Sequence, residues 1–206
     1  MINNDNAFLN QSNQGYRVWA LTFNTFSTRN AGFSTMDLGS GSGLNPLTTV
    51  IQGLMMFIGS GPGSTAGGLR TTTFVIIVVT TWATIRGKKI HMFNRTISDE
   101  TIKKALTIFI SSIVLIFVGV VIISISESIA NPNKFSILDI SFLTLSAYGT
   151  TGLSTFGLSN ISFMTKLILI IIMFVGQLGM STSLSQVHTK KKLVEKTYIV
   201  EEISLG

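Results

Sequence analysis

Two short clusters of glycine and small or hydroxyl residues are the parts of this sequence that could bind a cation. They cover residues 29–34 and 149–154, and their glycines, Gly32 and Gly152, are 120 positions apart. Backbone carbonyl oxygens can replace the hydration shell of a monovalent cation when a short loop holds them toward one axis. Glycine permits the φ angles that such a loop needs. The central residues of the two clusters are Asn30, Ala31 and Gly32 in the first and Thr150, Thr151 and Gly152 in the second.

Each cluster directly follows a short apolar segment, residues 17–28 in the first case and 137–148 in the second. A helix of about 12 residues is too short to cross a bilayer and is typical of a re-entrant segment. The C-terminal end of such a helix carries partial negative charge, which favours a nearby cation. We therefore predict two pore helices, each leading into one filter segment at 29–34 or 149–154.

A third feature is a long apolar run, residues 47–85, which glycines and one proline interrupt. As one helix it would be about 58 Å long, nearly twice a hydrocarbon core of about 30 Å. We predict two half-helices joined by a loop, and open backbone at membrane depth must be buried in protein or line a water-filled path. The interruption consists of Gly59, Ser60, Gly61, Pro62, Gly63, Ser64, Thr65, Ala66, Gly67 and Gly68.

The composition supports an all-α integral membrane protein. Hydrophobic residues make up 46% and charged residues 12%, and the mean hydropathy is +0.51, whereas soluble domains are about 25% charged. Further spanning helices are predicted at 105–126 and 163–187. The net charge of +6 does not indicate a nucleic-acid partner, because the basic residues lie between apolar runs. With no cysteine and two scattered histidines, the sequence predicts neither an enzyme nor a cofactor or resident metal site.

The elements form an internal repeat of short helix, glycine cluster, outer loop and long helix. A shift of 120 matches Gly32 with Gly152, and a shift of 117 matches residues 56–59 with 173–176. Such repeats are typical of pseudo-symmetric membrane transporters. Basic residues concentrate in 86–104 and 188–206, which predicts that this loop and the C-terminal tail are cytoplasmic.

Three strings give the sequence a specific resemblance: STRNAGFST from Ser27, GSGPGSTAGGLRTTTF from Gly59 and SAYGTTGLS from Ser146. They resemble the last two pore units of the Trk/Ktr/HKT superfamily of potassium transporters, and the Ktr membrane subunit most. The family fold is four helix–pore-loop–helix units around one channel-like pore. The resemblance implies a third unit lacking its first helix at 1–104 and a fourth unit at 105–206, about half of that pore.

The resemblance also implies the function, the location and the partners. The function would be potassium uptake across the cell membrane, with potassium as transported substrate and the loop at 59–68 as gate. The ion-binding residues would be Asn30, Ala31 and Gly32 in the third filter segment and Thr150, Thr151 and Gly152 in the fourth. The expected partners are membrane lipid, the N-terminal pore units, a second copy of the complete subunit in a homodimer, and a cytoplasmic nucleotide-binding regulatory subunit. No nucleic acid is expected.

The sequence departs from the family pattern at three points. Asn30 replaces the threonine usual after the arginine of the third filter, and Gln177 occupies the pore-facing gate position where an arginine is common. The length predicts that Met1 is an internal start or that the chain is a fragment. The choice between potassium and sodium stays open, because the first filter also contributes to it.

Two other functions remain alternatives: a truncated non-conducting remnant or structural membrane subunit, and a secondary transporter with broken helices. The acidic residues Glu127 and Asp139 are expected to be solvated loop acids rather than a cation-attracting mouth.

Overall fold

The computed structural model describes residues 14–29, 31–34, 38, 46–59, 61, 63–87, 91–92, 95–132 and 134–178. Within them the helices are α1 (Gln14–Ser27), α2 (Pro46–Phe57), α3 (Thr71–Ile85), α4 (Asp99–Ala130), α5 (Ile137–Tyr148) and α6 (Phe163–Leu178). A small antiparallel hairpin of β1 (His91–Met92) and β2 (Arg95–Thr96) connects α3 to α4, and a 3₁₀ turn at Leu158–Asn160 precedes α6. The predicted all-α class is confirmed.

Helix α4 is, among the described helices, the one long and apolar enough to cross a membrane by length and composition. It contains the predicted span 105–126 and extends it at both ends. The N-terminal extension begins after Ser98 and carries Asp99 and Glu100 in its first turn. Acidic side chains there compensate the helix dipole, so the helix starts earlier than hydropathy alone predicts.

The apolar run at 47–85 is divided, with α2 ending at Phe57 and α3 beginning at Thr71. The two chain ends meet in an isolated parallel β-bridge between Ile58 and Leu69. The Gly59 N–H donates to the Leu69 carbonyl at 2.8 Å, and the Leu69 N–H donates to the Phe57 carbonyl at 3.0 Å. The chain therefore leaves α2, makes a loop and returns to the point that it left.

Helix α5 has the bounds that the apolar segment 137–148 predicts. Its first turn is a capping box. The Ser136 hydroxyl accepts the backbone N–H of Asp139, and the Asp139 carboxylate accepts the backbone N–H of Ser136. The Thr155 hydroxyl also donates to Asp139, at 2.8 Å. The expectation of a solvated loop acid is wrong for Asp139, which lies in the helix and ties its start to the segment after the second glycine cluster.

The core of the described chain surrounds α5, which packs against α2, α4 and α6. Small residues permit this: a Cβ on Gly53 of α2 would lie 2.9 Å from the Leu145 side chain. The Tyr148 hydroxyl donates to the Ser112 hydroxyl of α4 at 2.6 Å, and both side chains are fully buried. The main buried cluster is Ile123, Ile140, Leu143, Ala147, Tyr148, Ile161, Leu169 and Ile172.

Glu127 connects the end of α4 to the start of α6. It is only 3% exposed, and its carboxylate accepts hydrogen bonds from the Thr165 hydroxyl at 2.6 Å, the Ser162 N–H at 2.9 Å and the Asn131 amide at 2.9 Å. A buried carboxylate needs such partners. The expectation of a solvated acid is therefore wrong for Glu127 as well.

The remaining bounds differ from the predictions mainly at helix ends. Helix α1 begins at Gln14 rather than residue 17, and α6 begins at Phe163 as predicted. The predicted end of α6 at 187 and the tail at 188–206 lie outside the described residues. Helix α3 contains no buried residue, whereas α2 is buried along the face that meets α5.

Candidate functional site: two glycine segments and the loop beneath them

The first glycine segment is folded back on the end of α1. The Ala31 and Gly32 N–H groups both donate to the Ser27 carbonyl, at 3.1 and 3.3 Å. The Ser27 hydroxyl donates to the Phe33 carbonyl. Gly32 has a φ of +71°, in the left-handed region that glycine reaches without strain. Asn30, the other predicted ion-binding residue here, lies outside the described residues.

The second segment repeats this turn at the end of α5. The Thr151 N–H donates to the Ser146 carbonyl at 2.9 Å, and Gly152 has a φ of +87°. Thr150 has a φ of +53°, and among the described residues it is the only non-glycine residue with a positive φ. A left-handed conformation at a β-branched residue costs about 1–3 kcal/mol, so the surrounding contacts must maintain it.

The two segments touch each other. A Cβ added to Gly32 would lie 2.2 Å from the carbonyl oxygen of Thr151, so the backbone at Gly32 lies directly against this carbonyl. Gly152 differs, because a Cβ there would meet nothing within 4 Å. Two glycines 120 positions apart therefore share a left-handed φ, and one of them abuts the other segment.

The loop after α2 is bonded to the second segment and to α6. The Gly67 N–H donates to the Thr150 hydroxyl at 2.9 Å, and the Gly68 N–H donates to the Gly176 carbonyl at 3.3 Å. The Gln177 amide donates to the Thr65 carbonyl at 2.7 Å. Ser60 and Pro62 of the predicted loop lie outside the described residues.

Glycines let backbones cross where these elements meet. A Cβ on Gly176 would lie 2.1 Å from the Tyr148 carbonyl oxygen, and one on Gly149 would lie 2.5 Å from that of Met56. Within the loop, a Cβ on Gly59 would lie 2.1 Å from the Gly67 carbonyl oxygen. The loop, the end of α5 and the end of α6 are thus in contact through main-chain atoms, which no larger residue would allow.

Residues 1–196 match the TrkH family, described as cation transport proteins. The chain belongs to this family. It is 39% identical to the Ktr system potassium uptake protein B of Bacillus subtilis over 165 residues, covering 79% of this chain and 35% of that protein. It is 32% identical to the Ktr system potassium uptake protein D of the same organism over 185 residues, covering 89% and 39%.

A third relative is the potassium/sodium uptake protein NtpJ of Enterococcus hirae, 34% identical over 185 residues, with 89% of this chain and 40% of that protein covered. The TrkH-family chain thus spans about a third to two fifths of the length of the curated relatives it matches. The resemblance to Trk and Ktr transporters is confirmed. The family is one of membrane cation transporters rather than of enzymes.

Sequence reasoning identified the two glycine segments and the loop as separate features of this TrkH-family chain but missed the contacts between them. Neither the Thr150 bond to the loop nor the role of Gly149 and Gly176 was predicted. One signal was present, since the shift of 117 matches Gly176 with Gly59, a loop glycine. For Gln177 the structure gives an exposed side chain bonded to the loop at Thr65.

Proposed function

We propose that this chain supplies two pore units of a transporter that takes up potassium across the cell membrane. In a complete protein of the relatives' length, residues 29–34 and 149–154 would be two of four filter segments. Asn30, Ala31 and Gly32 in one segment, and Thr150, Thr151 and Gly152 in the other, would coordinate the ion.

The observation that carries the proposal is the paired geometry of Gly32 and Gly152. Both have left-handed φ values, both follow a short helix, and the Gly32 backbone lies against the Thr151 carbonyl. Adjacent segments that touch through backbone atoms suit a ring of carbonyl oxygens around one ion. The last turns of α1 and α5 add the partial negative charge of helix C-terminal ends.

In this proposal the loop at 59–68 is the gate. Its bonds to Thr150, Gly176 and Gln177 favour a position against the end of the second segment. Because Gln177 is neutral, it holds the loop through a hydrogen bond and adds no positive charge that would repel a passing cation. The barrier in the closed state would then be mainly steric.

Relatives named for potassium uptake favour potassium as the ion, and the relative named for potassium and sodium uptake makes sodium the second candidate. The basic residues of 86–104 favour a cytoplasmic position for that loop in a multi-pass membrane protein. The proposed partners are membrane lipid, further pore units, a second copy of the complete subunit and a cytoplasmic nucleotide-binding regulatory subunit, as in Ktr systems.

The proposal is tested with rubidium uptake by the full-length subunit in proteoliposomes, with sodium as competitor. Gly32→Ala puts a Cβ into the Thr151 carbonyl and strains the backbone, whereas Gly152→Ala only strains the backbone. We expect both variants to lose discrimination between rubidium and sodium, and Gly32→Ala to lose uptake as well, by tenfold or more.

Gly87 provides a matched control. It also has a positive φ, +62°, and a Cβ there meets nothing within 4 Å, but it follows α3 and its N–H donates to the Thr84 carbonyl of that helix. Gly87→Ala should keep the parent selectivity. If Gly32→Ala and Gly152→Ala fold normally and select rubidium as the parent does, the filter assignment is wrong.

A further inference from the structure

Within the described residues, three hydrogen bonds join the C-terminal half of the loop to other parts of the chain, and they differ in what they connect. Gly68 bonds to the backbone of α6 at Gly176, and Thr65 accepts a hydrogen bond from the Gln177 side chain, also on α6. The third bond runs from the Gly67 N–H to the hydroxyl of Thr150, which belongs to the second glycine segment. Thus one bond connects the loop to the segment itself.

The position of the Thr150 hydroxyl depends on an unusual backbone. A residue with a φ of +53° projects its side chain differently from one with an ordinary negative φ. Here the side chain reaches Gly67 so closely that a Cβ on that glycine would lie 2.7 Å from the Thr150 methyl carbon and 2.8 Å from its hydroxyl oxygen. The bond therefore depends on both the left-handed turn in the segment and the glycine in the loop.

We propose that Thr150 is a positioning residue that couples the second filter segment to the gating loop through its hydroxyl. When the segment holds its left-handed turn, the hydroxyl accepts the Gly67 N–H and keeps the loop in place. When the loop moves away, the hydroxyl loses this donor and the turn loses one contact that maintains its strained φ. The inference rests on the proposed roles of the segment and the loop.

Such a link works in both directions. If the closed loop stabilises the segment, then a stabilised segment must favour the closed loop by the same free energy. An ion that stabilises the segment would therefore favour the closed loop, and loss of the ion would favour its release. Gln177 has no such property, since it connects the loop to α6 and not to the segment.

The test measures how often the loop leaves its position, independently of transport. The 206-residue sequence contains no cysteine, so Ala66→Cys, with any cysteine elsewhere in the full-length subunit replaced, gives a single thiol on the loop. The Ala66 side chain is half-buried next to Gly67, so release of the loop should increase the exposure of this thiol. The rate of modification by a methanethiosulfonate reagent is measured on the purified subunit with Thr150, Val, Ser or Ala at position 150.

Thr150→Val keeps the β-branched shape and its backbone strain but removes the acceptor. Losing one hydrogen bond should accelerate modification of the loop cysteine about 3–10-fold. Thr150→Ser restores the hydroxyl and should react as the parent does. Thr150→Ala relieves part of the strain and still lacks the acceptor, so it should also react faster, and it serves if the valine variant does not fold.

Ser141→Ala is the control, because it removes a hydroxyl from α5, the helix that leads into the segment, where this hydroxyl donates to the Ile137 carbonyl of the same helix. It should react at the parent rate. Equal rates for Thr150→Val, Thr150→Ala and the parent would overturn the inference, as would an equal acceleration by Ser141→Ala or no rescue by Thr150→Ser. A parent that carries no rubidium but gives the expected labelling pattern would refute the proposed transport and leave this coupling intact.

Discussion

Deleting residues 60–66 is a sharp test of the loop as a gate, because the structure shows that the flanking residues already touch. A Cβ on Gly59 would lie 2.1 Å from the carbonyl oxygen of Gly67, and the bridge between Ile58 and Leu69 lies just beyond. Joining Gly59 to Gly67 should therefore leave α2 and α3 in place. We expect faster rubidium flux with unchanged selectivity.

The magnitude follows from the contacts that hold the loop. The bonds to Gln177 and Thr150 contribute about 1 kcal/mol each to the closed position, so together they are equivalent to a shift of about 30-fold in the open population. Gln177→Leu removes one of them and should raise flux by about fivefold. The deletion removes the steric barrier as well, so its effect should exceed that of Gln177→Leu.

Gln177→Arg combined with the deletion should partly reverse the increase. A positive charge near the ion path would repel a cation; at an assumed separation of about 8 Å and an effective dielectric constant of about 20 the repulsion would be about 2 kcal/mol. The assay is rubidium flux into proteoliposomes for the parent, the deletion, the deletion with Gln177→Arg, and a variant with residues 60–66 replaced by an equally long Gly-Ser segment. The reasoning is refuted if the deletion, correctly folded, gives flux equal to or below that of the parent.

Two further predictions concern the contacts that hold the helices together, both measured as thermal unfolding of the full-length subunit in detergent. Glu127→Gln should destabilise it by about 2 kcal/mol, because the charge-assisted hydrogen bonds become neutral and the amide nitrogen of glutamine cannot accept all of the donors that the carboxylate accepts. Glu127→Ala should cost more, because the buried donors then lose their acceptor altogether. Equal stability of both variants and the parent would contradict this account. Tyr148→Phe should cost about 1–2 kcal/mol and Ser112→Ala a similar amount, and the double variant should cost less than their sum, since both remove one bond; strict additivity would show that the bond contributes nothing.

Several elements of this fold could be read from residue types alone. The segment 137–148 is apolar, follows Ser136 and precedes Gly149, and α5 has those bounds. The interruption at 59–68 also follows from glycine and proline in an apolar run, and the structure divides the run there. In both cases local chain preferences and the tertiary fold favour the same conformation.

What the sequence could not give are the contacts between distant segments. Glu127 follows an apolar run and Asp139 lies near the start of one, so the sequence predicts that both are solvated. Glu127 is instead buried by partners up to 38 positions away, such as Thr165, and Asp139 accepts a hydrogen bond from Thr155. The bond between Gly67 and Thr150 joins residues 83 positions apart. Hydrophobic periodicity and secondary-structure propensity carry no information about such distant pairs. The ion-binding roles of the two segments remain predictions.

The bond between Tyr148 and Ser112 also sets a depth. The uncharged part of α4, residues 105–126, is about 33 Å long and matches a hydrocarbon core of about 30 Å. Ser112 lies seven residues from its beginning, or about 10 Å along the axis. The end of α5 is thus anchored about a third of the way across the apolar layer from the Ala105 side. If the loop at 59–68 is the gate on the Ala105 side, as proposed, the barrier would occupy this third of the layer, about 10 Å, a thickness that one folded loop can fill.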